Sequence, residues 1–281
     1  MSLSAMASDT SVLNADSVEI LYDFDSSTKK ASVTYKGDSY FSYSSEYSGE
    51  VVIPSTVTYE GVVYSVTSIG DYAFSSCYNL TSITLPESLT EIGDVAFYNC
   101  YKLYEVYNKS DLTITAGSED NGYVAYYAKN VYTDSEGESK LKTVGDYLFY
   151  ADGEDIELIA YTGDETSITL PSDYEGKNYG IGDYAFYNCS ALTSITIPEG
   201  VTKIGNYAFY SCNNLLVVIN KSDLTITAGS RDNGYVAYYA TIVTDSESKI
   251  KTVGDYIFYA DGDTVELIAY TGNETSITLP S

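Results

Sequence analysis

Tyr123, Tyr126 and Tyr127 stand at i, i+3 and i+4, and the trio returns as Tyr235, Tyr238 and Tyr239. At that spacing the rings share one side of a short helix. Phenol rings offer broad, stiff surface that also hydrogen-bonds, which suits binding of a protein or glycan rather than bond making. Packing against the body of the protein is the plainer role for the same residues.

The other reactive groups point away from catalysis. The chain has no histidine, so Ser-His, Cys-His and His-metal arrangements are excluded. Carboxylate pairs and Ser-Lys pairs remain in principle, but no isolated, nonrepeating cluster of them stands out. Cys77 and Cys100 lie 23 residues apart, as do Cys189 and Cys212. All four therefore occupy one repeat position and read as a ladder of buried thiols, although stacked strands would let them bridge. The turns Asp152-Gly153-Glu154-Asp155 and Asp261-Gly262-Asp263 offer oxygens to calcium, yet neither has the 12-residue loop of a high-affinity site. They read as solvated turns. No cofactor and no metal is expected.

Charge narrows the partners. The 281 residues include 14 basic and 40 acidic side chains, a net charge of −26. Such a chain repels phosphate backbones, so nucleic acid and anionic membranes are poor partners. No apolar run is long enough to span a bilayer. Proteins, glycans and cations remain.

The elements that position these groups are repeats. Ile181-Gly182-Asp183-Tyr184-Ala185-Phe186 has close copies starting at Ile69, Ile92, Val144, Ile204 and Val253. Each ends in phenylalanine: Phe74, Phe97, Phe149, Phe186, Phe209 and Phe258. Regular repetition of one apolar residue predicts a stacked core spine rather than six sites. Within the element, Asp71, Asp94, Asp183 and Asn206 are expected to cap a one-turn helix, and the preceding glycine to permit a sharp bend. Leu80-Thr81-Ser82-Ile83-Thr84-Leu85 and Leu192-Thr193-Ser194-Ile195-Thr196-Ile197 supply the strands, at the 20–29-residue period of leucine-rich repeats. Leu and Ile then face the core. The outward strand positions are Ser82, Thr84, Glu105 and Tyr107, with Ser194, Thr196, Val217 and Ile219 in the second copy.

A longer period overlies the first. Residues 108–129 and 220–241 match at 20 of 22 positions, offset by 112. The chain thus reads as a flexible start (1–18), an N-terminal β cap (19–65) and two repeat units, 66–172 and 173–281. Each unit holds two regular repeats and an insert, 112–165 or 224–274, containing the tyrosine helix and an Asp-Gly hairpin. The fold class expected is a β-rich repeat solenoid with a parallel concave sheet and one-turn helices opposite. Met1–Met6 lacks the regions of a signal peptide and reads as vector-derived. Leu279-Pro280-Ser281 reads as the cut end of a longer array.

IGDYAFSSCYNLTSITLPESLTEIGDVAFYNC (69–100) and IGDYAFYNCSALTSITIPEGVTKIGNYAFYSC (181–212) resemble the BspA-like leucine-rich repeat family. Residues 22–54 are also similar to the lead-in segment of such proteins, so the resemblance runs from about residue 20 to 281. It implies an extracellular or cell-surface protein of a host-associated microbe, non-enzymatic and adhesin-like, contacting a protein or glycan on host or microbial surfaces. It supplies no catalytic residues. A spacer with no ligand of its own is the alternative reading.

Overall fold

The structure is a computed structural model that describes residues 11–13, 18–35, 47–133, 137–270 and 272. The start 1–10, the closing residues 279–281 and the centre of the polar loop at 133–139 lie outside the described residues. The chain divides into two compact units, Met1–Ser139 and Lys140–Ser281.

In unit 1, strands β1 (Ser11–Leu13), β2 (Glu19–Asp25), β3 (Lys30–Val33), β6 (Val62–Ile69) and β5 (Thr56–Tyr59) form one sheet in that order, with β8 (Glu91–Ile92) also on β6. The other sheet is wholly parallel, in the order β10 (Asn130–Tyr132), β9 (Glu105–Asn108), β7 (Leu80–Leu85), β4 (Gly49–Val52). Its register follows the repeat period: Ser82 faces Glu105 and Ile83 faces Val106, each 23 residues on. Ile83 and Val106 are fully buried, the apolar set expected of the strand motif.

Unit 2 repeats the plan. One sheet runs β11 (Leu141–Val144), β12 (Tyr147–Asp152), β13 (Asp155–Tyr161), β15 (Tyr179–Ile181), β17 (Val201–Ile204). A parallel sheet runs β14 (Ser167–Thr169), β16 (Ser194–Ile197), β18 (Val217–Asn220), β19 (Ile242–Thr244). A last meander joins β20 (Ile250–Val253), β21 (Tyr256–Asp261) and β22 (Thr264–Tyr270). Each unit is thus a β-solenoid with almost no helix.

The hexapeptide segments between the strands do not wind into one-turn helices. Tyr72, Val95, Tyr184 and Tyr207, each following the Asp or Asn of the motif, have φ between 48° and 60°. Left-handed residues break a right-handed helix, so the segment becomes a string of turns. The aspartate also caps differently from expectation. Asp71 Oδ1 accepts the amide of Asp94 at 2.8 Å, and Asp183 Oδ1 that of Asn206 at 2.6 Å. Each carboxylate thus serves the next coil rather than its own. The glycine is explained by the same contact. A Cβ on Gly93 would lie 2.4 Å from Asp71 Oδ1, and one on Gly205 equally close to Asp183 Oδ1.

Four of the six phenylalanines form the spine, in two pairs. Phe74 and Phe97 stack at 4.7 Å and 5° in unit 1, and Phe186 and Phe209 at 4.6 Å and 5° in unit 2. All four are fully buried. Phe149 and Phe258 sit instead on hairpin strands β12 and β21. Their hexapeptide copies differ because Gly145 and Gly254 take φ near 58°, closing a two-residue hairpin between Val144 and Tyr147 and between Val253 and Tyr256. Phe149 packs on Tyr174 and Tyr179, while Phe258 stays half-buried.

One relationship is hidden by divergent sequence. The hairpin β2–β3 enters unit 1 as β12–β13 enters unit 2, its second strand pairing in parallel with the next strand of the solenoid. The amides of Gly70 and Gly182 close both on equivalent carbonyls, Val33 O at 2.8 Å and Leu158 O at 2.9 Å.

Candidate functional site

The strand positions that face away from the core are not open. Glu105 is fully buried, and Ser82, Thr84 and Thr196 are also buried. Glu105 accepts hydrogen bonds from Tyr107 Oη at 2.9 Å, Ser139 Oγ at 2.8 Å and Tyr132 Oη at 3.2 Å. Tyr107 and Tyr132 stack at 4.9 Å. Burial and the carboxylate it bonds push the Tyr107 phenol up to about 12. Glu105 and Tyr107 therefore belong to an internal polar knot, not to a partner-facing surface. In unit 2 the equivalent Val217 and Ile219 cluster with Ile257, flanked by Ile250 and Ile268 of the last meander. The swap between copies follows what covers each sheet: polar side chains meet polar cover, and apolar side chains meet apolar cover. Alternation identifies residues that point away from the core, but it does not reveal a second layer over them.

The tyrosines are different. Tyr123 does not start a helix, because Asn121, Gly122 and Tyr123 all have φ between 51° and 69°. Asn233, Gly234 and Tyr235 repeat this left-handed turn, with φ between 48° and 69°. Gly122 is required there: a Cβ would lie 2.3 Å from Gly93 O and 3.0 Å from the Ala96 Cβ. The tight contact seats the tyrosine segment directly on the solenoid turns, and Val124 and Ala125 fill the core beneath it.

Tyrosines from those turns join the cluster. In unit 1, Tyr98 meets Tyr123 at 5.6 Å, Tyr101 meets Tyr127 at 5.4 Å, and Tyr78 stacks on Tyr101 at 5.6 Å. Tyr126 bridges Tyr123 and Tyr127 at 5.6 and 4.8 Å. In unit 2, Tyr184 stacks on Tyr207 and Tyr187 on Tyr210, and both Tyr207 and Tyr210 touch Tyr235. Tyr235, Tyr238 and Tyr239 complete the chain of rings. The six tyrosines singled out in the sequence are thus brought into two clusters. Tyr78, Tyr98, Tyr101, Tyr184, Tyr187, Tyr207 and Tyr210 join them without being marked by the tyrosine spacing, although Tyr98, Tyr187 and Tyr210 each follow the motif phenylalanine. Tyr98, Tyr126, Tyr207, Tyr210 and Tyr239 are between 39% and 48% exposed, so each cluster presents ring surface to solvent.

The remaining candidates have structural roles. Cys77, Cys100 and Cys212 are buried and Cys189 is half-buried; all four are thiols. Cys100 Sγ donates to Phe74 O and Cys212 Sγ to Phe186 O, each at 3.1 Å. Burial, with Cys77 adjacent, pushes the Cys100 thiol up, which suppresses its thiolate. The acidic turns meet lysines: Lys177 pairs with Glu154 at 2.7 Å, Lys140 with Asp152 at 3.6 Å and Lys249 with Asp261 at 3.2 Å. Among the described residues, no three Asp, Glu, Cys or His side chains converge as a metal-binding group. No described helix is long and apolar enough to cross a membrane.

Leucine-bearing parallel strands at a 23-residue register, closed by stacked turns, define each unit as a leucine-rich repeat solenoid. The chain belongs to the BspA type leucine rich repeat family, whose six-copy repeat region matches residues 37–170 and 160–278. No curated protein matches the sequence. Among solved structures, a leucine-rich repeat protein from Bacteroides ovatus is 26% identical with a TM-score of 0.30. That match covers 71% of this chain, which spans only 45% of the Bacteroides chain. A leucine rich cell surface protein from Faecalibacterium prausnitzii is 15% identical over 86% of this chain and 96% of its own, with a TM-score of 0.29. The pneumococcal vaccine antigen PcpA is 17% identical over 78% and 72%, with a TM-score of 0.32.

Proposed function

We propose that the protein is a non-enzymatic, surface-exposed binding module, adhesin-like, that contacts a protein or glycan of a host or microbial surface through its tyrosine clusters. The contiguous, solvent-facing ring surface built by Tyr98, Tyr123, Tyr126 and Tyr127, and again by Tyr207, Tyr210, Tyr235, Tyr238 and Tyr239, supports this reading. Exposed rings that already lean on one another lose little side-chain entropy on binding, which is the property of interface anchors. Two copies on one chain let weak contacts add. Membership of the BspA type family supports protein interaction as the general role and a cell-surface or extracellular location. The chain's lack of histidine and its repeat-position thiols fit a module without catalysis.

The test is capture from mucosal extract by the immobilised protein, compared with a variant carrying Ser at 98, 126, 207, 210 and 239. These side chains are partly exposed, so the variant keeps its core. A partner retained by the natural protein and lost by a folded variant supports the reading. Equal capture by both, or capture by neither, contradicts it and leaves a spacer role.

A further inference from the structure

The tyrosine segments 108–129 and 220–241 match at 20 of 22 positions, and one of the two differences opens the tyrosine turn. Residue 119 is Glu in unit 1, and its counterpart 231 is Arg in unit 2. The Arg231 guanidinium lies over the Tyr238 ring, 5.5 Å from its centroid. Tyr126, the counterpart of Tyr238, belongs to the copy with Glu at the arginine's position and is 39% exposed, whereas Tyr238 is half-buried beneath its arginine.

We propose that unit 1 carries a receptor site for a cationic side chain, the arginine or lysine of a basic protein segment, formed by the Tyr126 ring and the Glu119 carboxylate. The proposal rests on the tyrosine face being the binding surface and names the chemistry it recognises. Unit 2 supplies the template: the same backbone turn and the same Tyr-Tyr-Tyr geometry hold a guanidinium over the equivalent ring. In unit 1 the charge at that place is reversed, so a partner's cation gains both a ring face and a carboxylate. Glu119 holds the same place in its turn as Arg231 does: the Glu119 carbonyl accepts the Tyr123 amide at 3.2 Å, as the Arg231 carbonyl accepts the Tyr235 amide at 3.3 Å. A second difference between the copies sharpens the point. Lys129 lies over Tyr104 in unit 1, and unit 2 replaces both, with Thr241 and Leu216. There the cation and its ring are lost together. At Tyr126 the ring is kept, and among the described residues no cation lies over it. The chain's net charge of −26 draws basic segments toward the site.

The test titrates the full chain with a short fluorescent oligo-arginine peptide and with its neutral citrulline counterpart. The natural protein binds the arginine peptide and not the citrulline one. Glu119→Arg places the chain's own cation over Tyr126 and weakens binding about tenfold. Glu87→Arg makes the same charge change on an exposed turn and leaves affinity unchanged. Arg231→Glu uncovers Tyr238 and adds a second binding site. Equal effects of Glu119→Arg and Glu87→Arg, no gain from Arg231→Glu, or no binding by the natural chain each overturn the proposal. If these swaps fail while the five-tyrosine variant still loses its partner, the binding face stands and only the cation site falls.

Discussion

Asp71 and Asp94 hold successive coils together: the amide of Asp94 donates to the Asp71 carboxylate at 2.8 Å, 23 residues away in sequence. Asp183 and Asn206 repeat the bond in unit 2 at the same spacing. The motif aspartate is thus a stacking device. It satisfies a turn amide in the next coil that the turn itself leaves without an acceptor, and the glycine before that amide makes room for it.

Gly93→Ala therefore destabilises unit 1 by about 1–3 kcal/mol, because the new methyl meets Asp71 in both side chain and backbone. Gly205→Ala does the same in unit 2. Asp71→Ala costs about 1 kcal/mol, one hydrogen bond at a partly solvated site. Urea unfolding measures all three.

Phe97→Ala and Phe209→Ala each empty a stacked, fully buried position and cost about 3–5 kcal/mol. Phe258→Ala, half-buried on β21, costs clearly less. Equal losses at Phe97 and Phe258 in denaturant melts would restore a six-residue spine.

Alkali unfolds the protein before its tyrosines finish titrating. Burial raises Tyr22 and Tyr179 strongly, and Tyr107 and Tyr147 to about 12. A phenol with a raised folded pKa favours the fold fully below its unfolded value of about 10, and that contribution is lost as pH climbs through the folded value. Stability consequently falls from about pH 10 upward. Phenolate absorbance and circular dichroism followed together show buried tyrosines ionising only as the fold is lost. Complete titration near pH 10 with the fold intact contradicts this.

A thiol-reactive disulfide reagent modifies Cys189 first, since it alone of the four is half-exposed. Cys77, Cys100 and Cys212 react only on unfolding. Mass spectrometry of the modified peptides gives the order directly.

Much of the scaffold is legible from residue spacing. The 23-residue period predicts the Ser82–Glu105 register, and the Leu and Ile positions of the strand motif are all buried. What escapes is what depends on the third dimension. Tyr123, Tyr126 and Tyr127 have helical spacing, but backbone contact between Gly122 and Gly93 selects a left-handed turn instead. Glu105 alternates outward from the core, yet Tyr132 on the neighbouring strand β10 and Ser139 from the loop beyond it close over the carboxylate. Val144–Phe149 copies the letters of a solenoid turn, but the strand that follows it pairs back and makes a hairpin. Tyr98 and Tyr101 join the tyrosine cluster only because coil stacking brings them under the tyrosine segment.

The most direct test of the proposed binding face is hydroxyl-radical footprinting of the exposed tyrosines with and without the captured partner. Protection at Tyr98, Tyr126, Tyr207, Tyr210 and Tyr239, with no change at exposed Val63 or Val265, is the predicted result. Unchanged oxidation of all five tyrosines in a saturated complex would show that the partner binds elsewhere.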